Sequence, residues 1–150
     1  MSVYRALLLA AIRQDRDECH RLSKEIGYLT GEESEVRSRG MEREREKCGG
    51  PADMLPQAMV RAHLTALDAL SEPFRCTGTF DFAKDGRRAS ELTRSQIPLM
   101  LRERLKPPPP ETYSLNRKLS GVFLLCERLG SRVDTSSIAG MLMLNANNLD

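Results

Sequence analysis

Apolar residues recur three and four positions apart along most of the chain and almost nowhere alternate. From Ser2 to Gln14, Tyr4, Leu7, Leu8, Ala11 and Ile12 fall on one helical face. Asp15 followed by Glu18 has capping-box spacing and predicts a second helix through Leu22 and Ile26 to Gly27, separate from the first or joined to it across a kink. Thr30 with Glu33 can cap another helix, but Arg37 to Lys47 is nearly all charge with no apolar stripe. Its Glu and Arg pairs could support an exposed helix only through contacts worth about 0.2–0.5 kcal/mol each. Cys48-Gly49-Gly50-Pro51 breaks that segment, and the helical pattern resumes from Leu55 to Leu70 with Met59, His63, Ala66, Leu67 and Leu70 facing one way. A short helix follows from Ser95, with Pro98 in its first turn and Leu99, Met100, Leu101 and Leu105 as packing surface. Pro107 to Pro110 set a stiff, extended connector. Glu111 to Leu129 then reads as an amphipathic helix with Leu115, Leu119, Val122, Cys126 and Leu129 on one stripe, closed by Gly130 as a left-handed cap. Asp134-Thr135-Ser136-Ser137-Ile138 leads into Met141-Leu142-Met143-Leu144 and an Asn-rich end, with room for one short helix. No β-sheet is expected, since no stretch sustains alternation between turns.

Composition narrows the classes. The 150 residues suit one domain, but 40% hydrophobic residues, no Trp and 5% aromatics are a lean supply for a core. Charged residues make up 29% and nearly balance to a formal net charge of +2, which argues against a dedicated nucleic-acid binder with a concentrated basic face. No apolar run approaches the roughly 20 residues that cross a bilayer. Leu7-Leu8-Leu9-Ala10-Ala11-Ile12 is too short, and lacks the basic leader, to be a signal peptide or anchor. Asp15, Asp17 and Glu18 come too early for a mitochondrial transit peptide, so no targeting segment is read.

Candidate chemistry is sparse. Cys19, Cys48, Cys76 and Cys126 stand singly, and His20 and His63 lack ligand spacing, so no zinc site is expected; Cys126 reads as a small buried hydrophobe. Asp81-Phe82-Ala83 invites comparison with the metal-binding Asp-Phe-Gly of kinases, but Asp81 follows the polar turn Cys76-Thr77-Gly78-Thr79, not a buried strand, and a loop or helix-capping role is expected. His63 on an apolar stripe is read as a satisfied core residue with no nameable Ser, Cys or carboxylate partner. Arg87-Arg88-Ala89-Ser90 is similar to a basophilic kinase target, with Ser90 read as a helix start. No catalytic, cofactor-binding or metal residue is assigned.

The run from Pro107 to Leu129, with Glu111-Thr112-Tyr113-Ser114-Leu115-Asn116-Arg117-Lys118 after the prolines, resembles the C-terminal end of the UbiB/AarF family. These are atypical protein-kinase-like proteins, and the mitochondrial branch supports coenzyme Q biosynthesis. The family usually has His where this chain has Asn116. Asp15 to Gly31, Ala62-His63-Leu64, Glu72-Pro73-Phe74, Phe80-Asp81-Phe82 and Ile97 to Leu105 agree in the same order. The resemblance covers most of 3–36 and again 59–129, so 1–36 and 59–130 are read as kinase-like C-lobe helices. Residues 37–58 are then a charged, disordered insertion and 131–150 a divergent tail. It implies an all-α, helical C-lobe fragment of a protein-kinase-like fold. The parent's ATP and magnesium chemistry would lie in segments unlike anything here, since no Lys-x-Gly-Gln motif, phosphate loop or catalytic Asp with a metal-binding Asn is found. It further implies the mitochondrial inner membrane, matrix side, and as partners the coenzyme Q biosynthetic assembly and inner-membrane lipid. The alternative is a non-enzymatic helical module that docks on a protein partner or a membrane surface.

Overall fold

The computed structural model describes residues 2–31 and 58–146. Their order is α1 (Ser2–Ile12), α2 (Arg16–Ile26), α3 (Ala58–Arg75), β1 (Phe80–Asp81), a π-helical turn (Phe82–Gly86), α4 (Arg87–Glu103), α5 (Pro110–Arg128), β2 (Arg132–Val133) and α6 (Thr135–Ala146). The all-α expectation holds for these residues. The proposed insertion at 37–58 lies outside them, apart from Ala58, and so does Glu33 of the Thr30–Glu33 capping pair.

α1 and α2 are separate helices. Gln14 takes a left-handed φ of 60°, and Asp15 N–H donates back to the Ala10 carbonyl at 3.0 Å, closing α1. Asp15 Oδ1 then accepts from Glu18 N–H at 3.0 Å, as the capping-box spacing requires. Gly27 ends α2 at φ 91°, where Gly27 N–H reaches the Lys24 carbonyl and Tyr28 N–H the Ser23 carbonyl. A side chain there would be strained by the backbone and would press on Pro109. Gly130 performs the same service for α5 at φ 60°, with Ser131 N–H on the Cys126 carbonyl at 2.9 Å.

Two apolar clusters hold these elements. Leu7, Ala10 and Ala11 of α1 meet Cys19 and Leu22 of α2 and Tyr28, with Leu64 and Leu67 of α3 closing over them. All four phenylalanines build the second cluster. Phe82 meets Phe80 and Phe123 edge-on, at ring separations of 4.9 and 5.6 Å, and Phe74 lies 6.1 Å from Phe123. A chain with few aromatics has concentrated them where α3, the π-helical turn and α5 converge.

Five expectations need correction. A sheet exists, though only as antiparallel two-residue strands in the register Phe80↔Val133 and Asp81↔Arg132. Such a bridge is too short to carry an alternation signal. The helix expected from Ser95 begins at Arg87 and runs through Pro98. Ser90 therefore lies inside it and does not start it. Packing of α4 along α3, with an Arg88–Glu72 ion pair between them, outweighs the hydrogen bond Pro98 removes. Leu101 is 73% exposed and Leu105 42%, so of the expected packing surface Leu99 and Met100 are the half-buried part. On α5, Phe123 and Thr112 are buried, whereas Val122 and Leu129 of the expected stripe are 55% and 70% exposed.

The tail after Gly130 is tied down. Phe82 N–H donates to the Ser131 carbonyl, Val133 packs on the phenylalanine cluster, and Thr135 Oγ1 donates to the Pro73 carbonyl. Asp134 begins α6 by accepting from Ser137 N–H and from the Ser136 and Ser137 hydroxyls. These bonds, led by the Ser137 hydroxyl, hold its carboxyl below the usual range. A carboxyl depressed on folding contributes stability that is present above its unfolded pKa, about 3.9, and lost as pH falls through the lower folded value. Asp134→Ala is therefore expected to lower Tm at pH 7, with the gap from wild type closing toward pH 3.

Candidate functional site

Asp81 caps the π-helical turn. One carboxylate oxygen accepts from Lys84 N–H at 3.2 Å and the other from Arg132 Nε at 3.0 Å, across the strand pair. The Lys84 amide, more than the Arg132 cation, keeps its carboxyl below the usual range. Both oxygens thus have partners within the chain, as the capping reading expects.

His63 is buried on α3 at 8% exposure, and it does have a serine partner. Its Nε2 lies 2.9 Å from Ser23 Oγ on α2, and Ser23 is fully buried. The ring also leans on Tyr28 at 5.3 Å. A serine and histidine at this distance suggest a nucleophile and its base, but a nucleophile must reach substrate, and this hydroxyl has no exposed surface. The pair satisfies two buried polar groups at the α2–α3 contact.

Cys19 is buried, and desolvation, followed by the charge of Asp68, pushes its thiol up to about 11. That suppresses the reactive thiolate. Cys76 and Cys126 flank the phenylalanine cluster as partly buried hydrophobes, and Cys48 lies outside the described residues. Among the described residues, no three His, Cys, Asp or Glu side chains gather where they could hold a metal ion. No described helix is long and apolar enough to cross a membrane.

Among the described residues lies an apolar groove of about 500 Å³ beside α5. Leu115, Leu119, Val122 and Cys126 form one wall, Tyr4 and Leu8 of α1 the other, and Phe74, Phe82 and Phe123 the floor. Lys118 is the charged residue on its lip. A hydrogen-bond chain fixes the walls: Tyr4 Oη donates to Asn116 Oδ1 at 3.0 Å, and Asn116 Nδ2 donates to Tyr28 Oη at 2.8 Å. Burial, and then the neighbouring Tyr28, raises the Tyr4 phenol to about 12, so it remains a neutral donor. Sequence reasoning placed Leu115, Leu119, Val122 and Cys126 together but missed Tyr4 and Asn116 as their brace, because the two lie 112 positions apart.

No family model matches the chain. The chain is similar to the atypical kinase COQ8, mitochondrial, of Saccharomyces cerevisiae, at 42% identity over 137 residues, covering 90% of this chain and 23% of that protein. It is 39% identical to the protein of the same name in Schizosaccharomyces pombe, over 93% of this chain and 19% of the relative. With the atypical kinase COQ8B, mitochondrial, of Rattus norvegicus it shares 35% identity over 87% of its length and 20% of the relative. The chain thus spans about a fifth of the length of the curated relatives it matches. With the helical order of the resembling segments in place, these matches lead to one assignment: the chain belongs to the UbiB family of atypical kinases, as the C-terminal part of a COQ8-type member.

Proposed function

We propose that the chain forms part of the helical C-lobe of an atypical kinase or ATPase supporting coenzyme Q biosynthesis in the mitochondrion, at the matrix side of the inner membrane and with the coenzyme Q biosynthetic assembly. The observation that carries this reading is the 42% identity, over 90% of the chain, to an atypical kinase named mitochondrial. In this reading α1 to α5 support catalytic elements of the parent and supply no ligand to ATP or magnesium. Residues 37–58 are a charged insertion and 131–150 a divergent tail. One feature supports the division of labour: both oxygens of Asp81 already accept hydrogen bonds within the chain, from Lys84 N–H and Arg132 Nε.

Isothermal titration of the folded chain with magnesium ATP tests this, and a flat trace is expected for wild type and for Asp81→Asn alike. Saturable binding tighter than about 100 μM, near −5.5 kcal/mol, that disappears in Asp81→Asn would make Asp81-Phe82-Ala83 a metal site and overturn the reading.

A further inference from the structure

Between α4 and α5 the chain runs through Lys106-Pro107-Pro108-Pro109-Pro110, and these residues set their own conformation. Each pyrrolidine ring fixes φ near −65°, and each residue ahead of a proline is driven to an extended ψ. The outcome is a polyproline II turn, with about three residues per turn. Pro109 lies in that well, at φ −57° and ψ 137°. One edge of the run is taken up by the fold. The Pro109 ring stands 3.4 Å from where a Cβ on Gly27 would be, and its carbonyl accepts from the Thr112 N–H at 3.0 Å and the Thr112 hydroxyl at 2.8 Å. The edge shared by Pro107 and Pro110, and the edge of Pro108, then point away from the body. All three prolines are exposed, whereas Pro109 is half-buried.

The exposed ridge has one-sided chemistry. Proline has no N–H, so Pro107 to Pro110 offer carbonyls and no donor. Among the described residues, the carbonyls of Pro107 and Pro108 accept no hydrogen bond. A surface that covers the ridge must bring flat apolar faces for the rings and N–H or O–H donors for the carbonyls, which tryptophan and tyrosine supply together. A bilayer interior has no donor and would strand the carbonyls. A second copy of the chain is also a poor match. It has no Trp, and of its three tyrosines Tyr4 and Tyr28 are bonded to Asn116 within the fold, which leaves Tyr113. Because the run is already fixed, docking it costs little ordering entropy.

We propose that Pro107, Pro108 and Pro110 form a docking ridge for a separate protein that reads polyproline II through a groove of Trp and Tyr rings, with a ring N–H or O–H closing on the Pro107 or Pro108 carbonyl. The ridge stands on this connector alone and is independent of the kinase-family reading. Since the chain has no Trp, the groove Trp of a probe reports without background. The probe is an isolated WW domain of the class that binds uninterrupted proline runs, titrated with the full chain while its fluorescence is followed. A saturable change is expected, and a synthetic oligoproline peptide should displace the chain and reverse it. Pro107→Ala combined with Pro108→Ala should weaken binding about tenfold or more. Leu101→Ala, at an exposed position on α4, should leave it unaltered. Unchanged circular dichroism and Tm establish that the variants fold, and the displacement is read on the wild-type chain and needs no variant. No saturable change, binding that oligoproline does not displace, or equal binding by the folded double variant would overturn the proposal. So would loss of binding in Leu101→Ala, which would move the contact to α4.

Discussion

Phe123→Asp is expected to abolish cooperative folding of the half of the molecule built on the phenylalanine cluster. Phe123 is 7% exposed, with Phe82 5.6 Å from it edge-on and Phe74 at 6.1 Å. Truncating a buried Phe costs about 3–5 kcal/mol through lost burial and the cavity left behind. A carboxylate in its place adds a charge with no nearby cation in the cluster, and must take up a proton or bring in water. The sum rivals the whole stability of a small domain, about 5–15 kcal/mol. Near-wild-type helical circular dichroism with a cooperative melt in Phe123→Asp would show that α5 is not held by this cluster. Leu119→Asp, at the cluster's edge, should act in the same direction with a smaller effect.

The other cluster gives the second large effect. Leu7 is 1% exposed where α1 and α2 meet, and Leu7→Ala is expected to destabilise by about 2–5 kcal/mol. Leu101→Ala is its control. The two replacements delete the same atoms, but Leu101 is 73% exposed and its loss should stay within about 0.5 kcal/mol. Urea melts of both variants check this, and equal midpoints would contradict the packing described for α1.

These contrasts show what the sequence could reveal. Several caps were legible because they are local: Asp15 and Glu18 are three residues apart, Gly27 and Gly130 each follow an apolar stripe, and the turn before Asp81 marked it as a capping residue, whereas Ser90, read as a helix start, lies inside α4. The helical class followed from the spacing of apolar residues over whole segments. The choice of buried face on α5 was not legible, because its apolar arc covers about half the helix and periodicity cannot say which part of a wide arc meets a neighbour. Phe123 won over Val122 because Phe74 and Phe82, more than 40 positions away, lie beneath it. Pairs such as Ser23 with His63, and Tyr4 with Asn116 and Tyr28, are tertiary facts with no signature in residue spacing. At Pro98, packing between α3 and α4 overrode the usual meaning of an interior proline. The family resemblance, by contrast, rested on residue order in short runs, and it survived every correction to the helix boundaries and faces.

The central claim is that these helices are the supporting C-terminal part of a COQ8-type atypical kinase. A chimaera tests it most directly: the matching segment of the Saccharomyces cerevisiae relative is replaced by this chain, in cells lacking their own copy, and coenzyme Q is measured. The account predicts coenzyme Q restored to a substantial fraction of the level given by the intact relative, and lost again when Phe123→Asp is introduced. A chimaera that accumulates as folded protein and yields no coenzyme Q would contradict it.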